Sequence, residues 1–212
     1  MLIDVSMPVT PTIPIWPGSP GATTSSLLSL SAGDEANASL LTMDVHVGTH
    51  VDAPLHFIEG GGSVESISPD ALVGPCFVAD LPGMTSIDAT TLEAASIPED
   101  TTRLLLRTTN STERGRRVEP FREDFVALTP DAAHWVVDRG MRLVGIDYLS
   151  IQLYRGSRET HVALLEAAVV ILEGLDLVAV ESGTYELLCL PILLEGAEAA
   201  PARAFLRPLS VR

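Results

Sequence analysis

The segment His46-Val-Gly-Thr-His50-Val-Asp52-Ala-Pro-Leu-His56 constrains this chain more than any other stretch. Three of the five histidines and a carboxylate fall within it. Helix is a poor outcome here, because Val45, Val47, Thr49 and Val51 are β-branched and Gly48 and Pro54 interrupt them. In an extended backbone, positions 46, 50, 52 and 56 share one parity, so all four side chains leave one face. A straight strand would set His46 and His50 about 13 Å apart at ~3.3 Å per residue. That is near the limit for sharing one ion, and Gly48, midway, permits the bend they need. Imidazole nitrogens with a carboxylate suit Zn, Mn or Fe. An ion held with an open position acidifies its water and makes a hydroxide nucleophile near neutral pH. His161, near a helix start, and Glu173, at a strand end, offer a fifth ligand and a second carboxylate, enough for two ions. A polar cluster satisfied by hydrogen bonds alone is the competing reading.

Strand and helix signals alternate through the rest of the chain. Alternation and β-branched runs predict strands over 2–5, 24–30, 40–47, 76–81, 103–108, 143–146, 169–172, 185–194 and 203–209. Pro191 restricts the eighth of these to an edge or bulge. Asp88 is a helix N-cap for a short helix ending near Ser96. Thr129-Pro130 starts a second helix that Gly140 stops, and a third runs over 159–168. Pro8, Pro11, Pro14 and Pro17 forbid helix near the start and leave an ordered, extended loop carrying Trp16. The 110–117 stretch reads as a solvated connection, with a mobile flap bearing Arg114, Arg116 and Arg117 as the sharper alternative. The pattern is a sheet-rich mixed α/β or α+β fold in a single domain over 1–212.

Composition narrows the function classes. With 46% apolar and 19% charged residues, the chain is globular. No apolar run is long enough for a membrane helix, and no basic region followed by an apolar stretch opens the sequence, so a cytoplasmic location is expected. A net charge of −15 argues against nucleic acid and anionic membranes as partners. All 13 basic residues are Arg, which excludes Schiff-base and P-loop chemistry, both dependent on Lys. No Gly-x-Ser-x-Gly elbow is present, which argues against a Ser-His-Asp hydrolase. Cys76 and Cys189 have apolar neighbours and read as buried thiols. His134 reads as a surface or partly buried helix residue, and Asp147-Tyr148 either supports the metal cluster or begins a loop.

His-x-Gly-Thr-His-x-Asp-x-Pro-x-His followed by Phe57 resembles the signature of the metal-dependent cyclase-like hydrolases, the family containing bacterial kynurenine formamidase. Trp16-Pro17-Gly18, Gly145-Ile-Asp147-Tyr148, Thr160-His161, Ile171-Leu-Glu173-Gly174, Gly183-Thr-Tyr185 and Pro201-Ala-Arg203 extend the resemblance over nearly the whole chain. It implies a layered, swivelling β/β/α domain that assembles as a homodimer or larger. It implies that His46, His50 and Asp52 hold one divalent ion, Zn or Mn, with Asp52 bridging to a second completed by His161 and Glu173. His56 would be the general acid/base, and Trp16 would stack on a small aromatic substrate. The implied reaction is opening of N-formylkynurenine to kynurenine and formate by metal-bound hydroxide. Isatin hydrolases and lactone- or diene-opening members share the motif. A structural metal-binding module is the non-enzymatic alternative. Kynurenine formamidases carry Asp-Tyr-Pro-Ser and then an acidic residue, where this chain has Asp147-Tyr-Leu-Ser150-Ile-Gln152.

Overall fold

The computed structural model describes residues 1–112 and 120–209. Its framework is an eight-stranded sheet in the order β1 (Ile3–Asp4), β10 (Ala199–Pro208), β4 (His50–Asp52), β8 (Val170–Glu173), β7 (Leu143–Ile146), β6 (Arg103–Thr108), β5 (Val73–Leu81) and β9 (Gly183–Pro191). The long strand β10 also pairs with β9, so the sheet curls round and closes. Its first residues pair with β4 and its later ones with β9, which is how one strand joins both ends. A separate two-stranded ribbon is formed by β2 (Ala22–Leu28) and β3 (Ala38–Met43).

Strands β5, β6, β7 and β8 run parallel, and helices fill the crossovers between them. These are α2 (Ala89–Ala94), then α3 (Thr109–Thr112) and α4 (Pro130–Asp138), then α5 (Glu159–Glu166); the short α1 (Pro69–Leu72) precedes β5. Parallel strands covered on both faces should be apolar throughout, and the period-2 alternation then divides side chains between two cores. Leu105, Leu143, Val170 and Leu172 point into the closed sheet with Val51, Leu187 and Leu206. Their neighbours Leu104, Leu106, Val144, Ile146 and Ile171 face the helices and meet Ala132, Val136, Leu164 and Leu165. The result is the layered β/β/α arrangement, sheet-rich and mixed α/β. Cys76 and Cys189 are free, buried in the inner core, and pushed up to about 12 by burial. No helix among the described residues is long and apolar enough to cross a membrane.

Several boundaries follow their predicted causes. The strands at 103–108 and 143–146 appear as read. Asp88 caps α2 by accepting from Thr91 N at 2.7 Å, and Gly140 ends α4 with φ +65°. The third helix stops at Glu166, two residues short, because Ala168 turns to φ +56°. The expected strand over 40–47 is corrected: β3 ends at Met43, and the chain turns through Asp44–Gly48. Asp44 causes the break, its Oδ1 accepting from His46 N at 3.0 Å and its carbonyl accepting from Val47 N at 3.1 Å. His46 therefore sits in a turn, and the shared-parity argument fails for it. The strand expected over 185–194 ends at Pro191.

Asn110 and Ser111 are not part of the solvated connection expected of them. Asn110 and Ser111 are buried, with Asn110 exchanging hydrogen bonds with the Val126 backbone. Asp147 accepts from Thr108 N, Thr108 Oγ1 and Ser111 N at 2.8–3.0 Å. That aspartate organises the end of β6. Arg114, Arg116 and Arg117 lie outside the described residues. His134 is exposed on α4, 3.4 Å from Glu159.

Candidate metal centre

Strand pairing does the first part of assembling the site. On β4, His50 and Asp52 project to one face while Val51 points into the inner core. The antiparallel partner β8 places Glu173 directly opposite His50. Glu173 Oε2 lies 3.3 Å from His50 Nε2, and Asp52 Oδ1 lies 3.6 Å from the same nitrogen. Below the strand ends, α5 brings in His161, whose Nε2 is 3.4 Å from Glu173 Oε1 and 3.8 Å from Asp52 Oδ2.

The turn then delivers His46. Gly48 adopts φ +75°, the bend anticipated from its position. Thr49 locks the turn against the end of β8, donating from Oγ1 to Gly174 O at 2.5 Å and accepting from Met7 N at 2.8 Å. Gly174 is required at this approach, since a Cβ there would lie 2.1 Å from Gly48 O. His46 Nδ1 consequently stands 3.3 Å from Asp52 Oδ1. Its other nitrogen faces Glu198, 3.6 Å away, a residue that no local sequence signal marks because it comes from the approach to β10.

His56 arrives differently from the expectation. Pro54 opens a 3-10 turn over Pro54–His56 that takes position 56 off the shared extended face and curls the side chain back over the cluster. The His56 ring is 4.3 Å from the His46 ring and 5.8 Å from that of His161. His46, Asp52 and His56 offer donor atoms within 4.8 Å of one another, as do His50, Asp52 and Glu173.

These groups fit a divalent cation. His50 Nε2 and both Asp52 oxygens are buried without a hydrogen-bond partner, an arrangement costly in a protein interior unless something else satisfies them. Ligand distances of ~2.0–2.2 Å place the donors of a tetrahedral ion about 3.3–3.6 Å apart, which is the spacing seen here. His50 donates Nδ1–H to Gly48 O at 3.0 Å, leaving Nε2 as the available lone pair. Asp52 turns one oxygen toward His46 and His50 and the other toward His161, so it can serve two ions.

Electrostatics point the same way. Burial opposes charge on His50, but the Glu173 carboxylate 3.3 Å away and the charge of Asp52 outweigh it and hold the imidazole up at about 9. Burial likewise opposes charge on His46, and Asp52 reverses the balance upward. Burial dominates at His56 and lowers it, keeping that imidazole neutral. Burial would raise Glu173, yet its contacts with His161 and His50 hold it well below the usual carboxylate range.

The cluster lies on one side of a cleft of about 480 Å³ lined by Trp16, Pro17, Asp44, His46, His56, Phe57, Leu149, Ser150, Gln152, His161 and Glu173 among others. Trp16 stands at its mouth, partly exposed and edge-on to Phe121 and Tyr154 at 5.1 and 5.4 Å. All seven residues singled out in the sequence thus border or build one site. Gln152, which sequence marked only as a departure from the kynurenine formamidase pattern, contacts His161 within it. Asp44 and Phe57 complete the walls.

This buried imidazole–carboxylate centre on a closed β/β/α sheet defines an α/β protein with a candidate site for a divalent metal. Residues 3–152 match the family described as "Putative cyclase", and the chain belongs to that family. Cyclase-like protein 3 of Arabidopsis thaliana is 38% identical over 213 residues, spanning 97% of this chain and 79% of its own. The kynurenine formamidase of Bacillus cereus is 35% identical over 208 residues, spanning 98% of this chain and 97% of its own. A solved structure described as a predicted metal-dependent hydrolase from Bacillus stearothermophilus superposes with a TM-score of 0.83 at 35% identity, covering 97% of both chains. Isatin hydrolase A of Labrenzia aggregata shares the fold at TM-score 0.78 and 22% identity, over 97% of this chain and 93% of its own.

Proposed function

We propose that this chain is a divalent-metal-dependent hydrolase that opens an amide or formamide C–N bond of a small aromatic substrate, with N-formylkynurenine as the leading candidate. The observation carrying this reading is the pair of unpartnered Asp52 oxygens, each facing a different set of imidazoles at ligand spacing, buried behind the His46, His161 and Glu173 that line the cleft. His46, His50 and Asp52 would hold one ion, and Asp52, His161 and Glu173 a second. When bound, a divalent cation, Zn or Mn, supplies polarisation of the scissile carbonyl and acidification of water.

The remaining work belongs to side chains. His56, neutral and leaning over the cluster, would take a proton from the attacking water and pass it to the leaving nitrogen, since an aniline does not leave as an anion. Trp16 would stack on the substrate ring and orient it, while Pro17 and Leu149 exclude water from the cleft. For N-formylkynurenine, one water is consumed and formate and kynurenine are released.

One observation favours isatin as a second reading. Among the described residues lining the cleft there is no Arg to meet the amino-acid carboxylate of N-formylkynurenine. A neutral ring such as isatin places no such demand.

The test is hydrolysis of N-formylkynurenine, isatin and a dienelactone by protein loaded with Zn or Mn, with and without chelator. Chelator-sensitive turnover of one of them supports the reading. A protein that binds metal stoichiometrically and turns over none of the three is a structural metal-binding module instead. We further propose a homodimer or larger assembly, supported by Leu27, Leu28, Leu40 and Leu41, which stand exposed on the β2–β3 ribbon. A two-stranded ribbon is marginal without cover. Light scattering on the eluting peak decides it.

A further inference from the structure

The contact between Gln152 and His161 does more than pack the cleft. Gln152 Oε1 lies 3.1 Å from His161 Nδ1. An amide oxygen only accepts, so Nδ1 carries the proton and the lone pair is left on Nε2, the atom facing Glu173 and Asp52. The reversed amide would offer N–H to Nδ1, drive the proton to Nε2, and aim a donor where a ligand is needed. Rotation of the ring is restrained separately. Phe57 stacks on its face at 4.3 Å and 7°, and the Arg158 guanidinium lies 5.8 Å from the centre of the Phe57 ring. With orientation held by Phe57, the tautomer remains to be set, and Gln152 is placed to set it.

The residue before Gln152 acts on the other half of the same subsite. Ile151 N donates to Glu173 Oε1 at 2.6 Å, and Ile151 O is tethered by Leu128 N at 2.9 Å. Two consecutive residues of one anchored loop thus orient both groups that Asp52 needs to complete a second cation site. His50 is held by a different element, through Gly48 O, and His46 faces Glu198.

We propose that Gln152 is a positioning residue that fixes the His161 tautomer and so governs affinity for the second of two cations without governing the first. This rests on the two-ion reading above. Chelator-stripped full-length protein is titrated with Zn²⁺ by calorimetry, and bound metal is counted by elemental analysis after desalting. The wild type shows two classes of site. Gln152→Leu, which removes the acceptor, weakens the second class by roughly 10–100-fold and leaves the first unchanged. Gln152→Glu keeps an acceptor oxygen and restores the second class. The proposal is overturned if Gln152→Leu keeps both affinities, or if Gln152→Glu fails to restore the second class. Should the Leu variant lose both classes, the Glu variant alone decides by the same criterion. A wild type with a single class of site overturns the two-ion reading itself, a different failure from two classes that ignore Gln152.

Discussion

Replacing His56 and replacing Asp52 should have opposite signatures, because one leans over the cluster and the other lies inside it. His56→Ala is expected to lower kcat by roughly 10²–10⁴, the usual worth of a general acid/base, while metal content stays at the wild-type value. Its donor atoms stand close enough to those of His46 and Asp52 that elemental analysis is essential: loss of metal would make His56 a ligand and end the acid/base assignment. Asp52→Ala should be worse than His46→Ala, since Asp52 addresses two sets of imidazoles and His46 only one. The Asp52 variant should purify without either ion. The His46 variant should keep the ion on the His161 and Glu173 side, and equal losses in the two would refute a bridging role. At this scale the cluster of candidate donors at 46, 50, 52 and 56 and the bend at Gly48 were legible in the sequence. Glu198 and Gln152 were not assigned a role, because Glu198 reaches His46 from far along the chain and Gln152 meets His161 through the irregular segment between β7 and α5, whose course no periodicity predicts.

At the scale of elements, the site depends on the turn after β3 being pinned to the end of β8. Gly174 and Gly140 both adopt positive φ, +67° and +65°, but only Gly174 is crowded. Gly140→Ala meets no atom within 4 Å and should cost only the left-handed penalty, about 1–2 kcal/mol. Gly174→Ala would drive its Cβ into Gly48 O and must move either the His46 turn or Glu173. It should lower Tm by more than Gly140→Ala does and also reduce bound metal, whereas Gly140→Ala retains it. Equal Tm losses with metal retained in both would show that this contact does not shape the site. The strands at 103–108 and 143–146 were readable because burial on both faces leaves unbroken apolar runs. The strand expected over 40–47 was misread because apolar alternation continues past Met43, while the Asp44 hydrogen bonds that end it depend on the local fold.

For the whole molecule, the clustered charges link stability to pH and metal. His50 is held at about 9, above the ordinary 6.5, so in chelator-treated protein its protonated form adds stability. That contribution is fully present below pH 6.5 and lost as pH rises through about 9, and the Tm of chelated protein should fall across that window. A cation requires the neutral imidazole, so metal displaces a proton, and its affinity should rise with pH by up to about tenfold per unit below that value. Metal-loaded protein should therefore gain most in Tm over chelated protein at the alkaline end, and a gain independent of pH would contradict the coupling. The sequence by itself determined the sheet-rich α/β class, the buried thiols and the candidate donor types, because periodicity, β-branching and residue chemistry are local properties. Tertiary structure alone decided that β10 closes the sheet by pairing with both β4 and β9. It alone decided that Pro54 curls His56 inward and that Gln152 and Glu198 stand behind two of the histidines. The sheet closure and the Glu198 contact depend on which distant segments share space, and no spacing along the chain encodes a contact between residues more than a hundred positions apart, such as His46 and Glu198. The Pro54 turn and the Gln152–His161 contact are close in sequence, but the course of each segment is set by what it packs against.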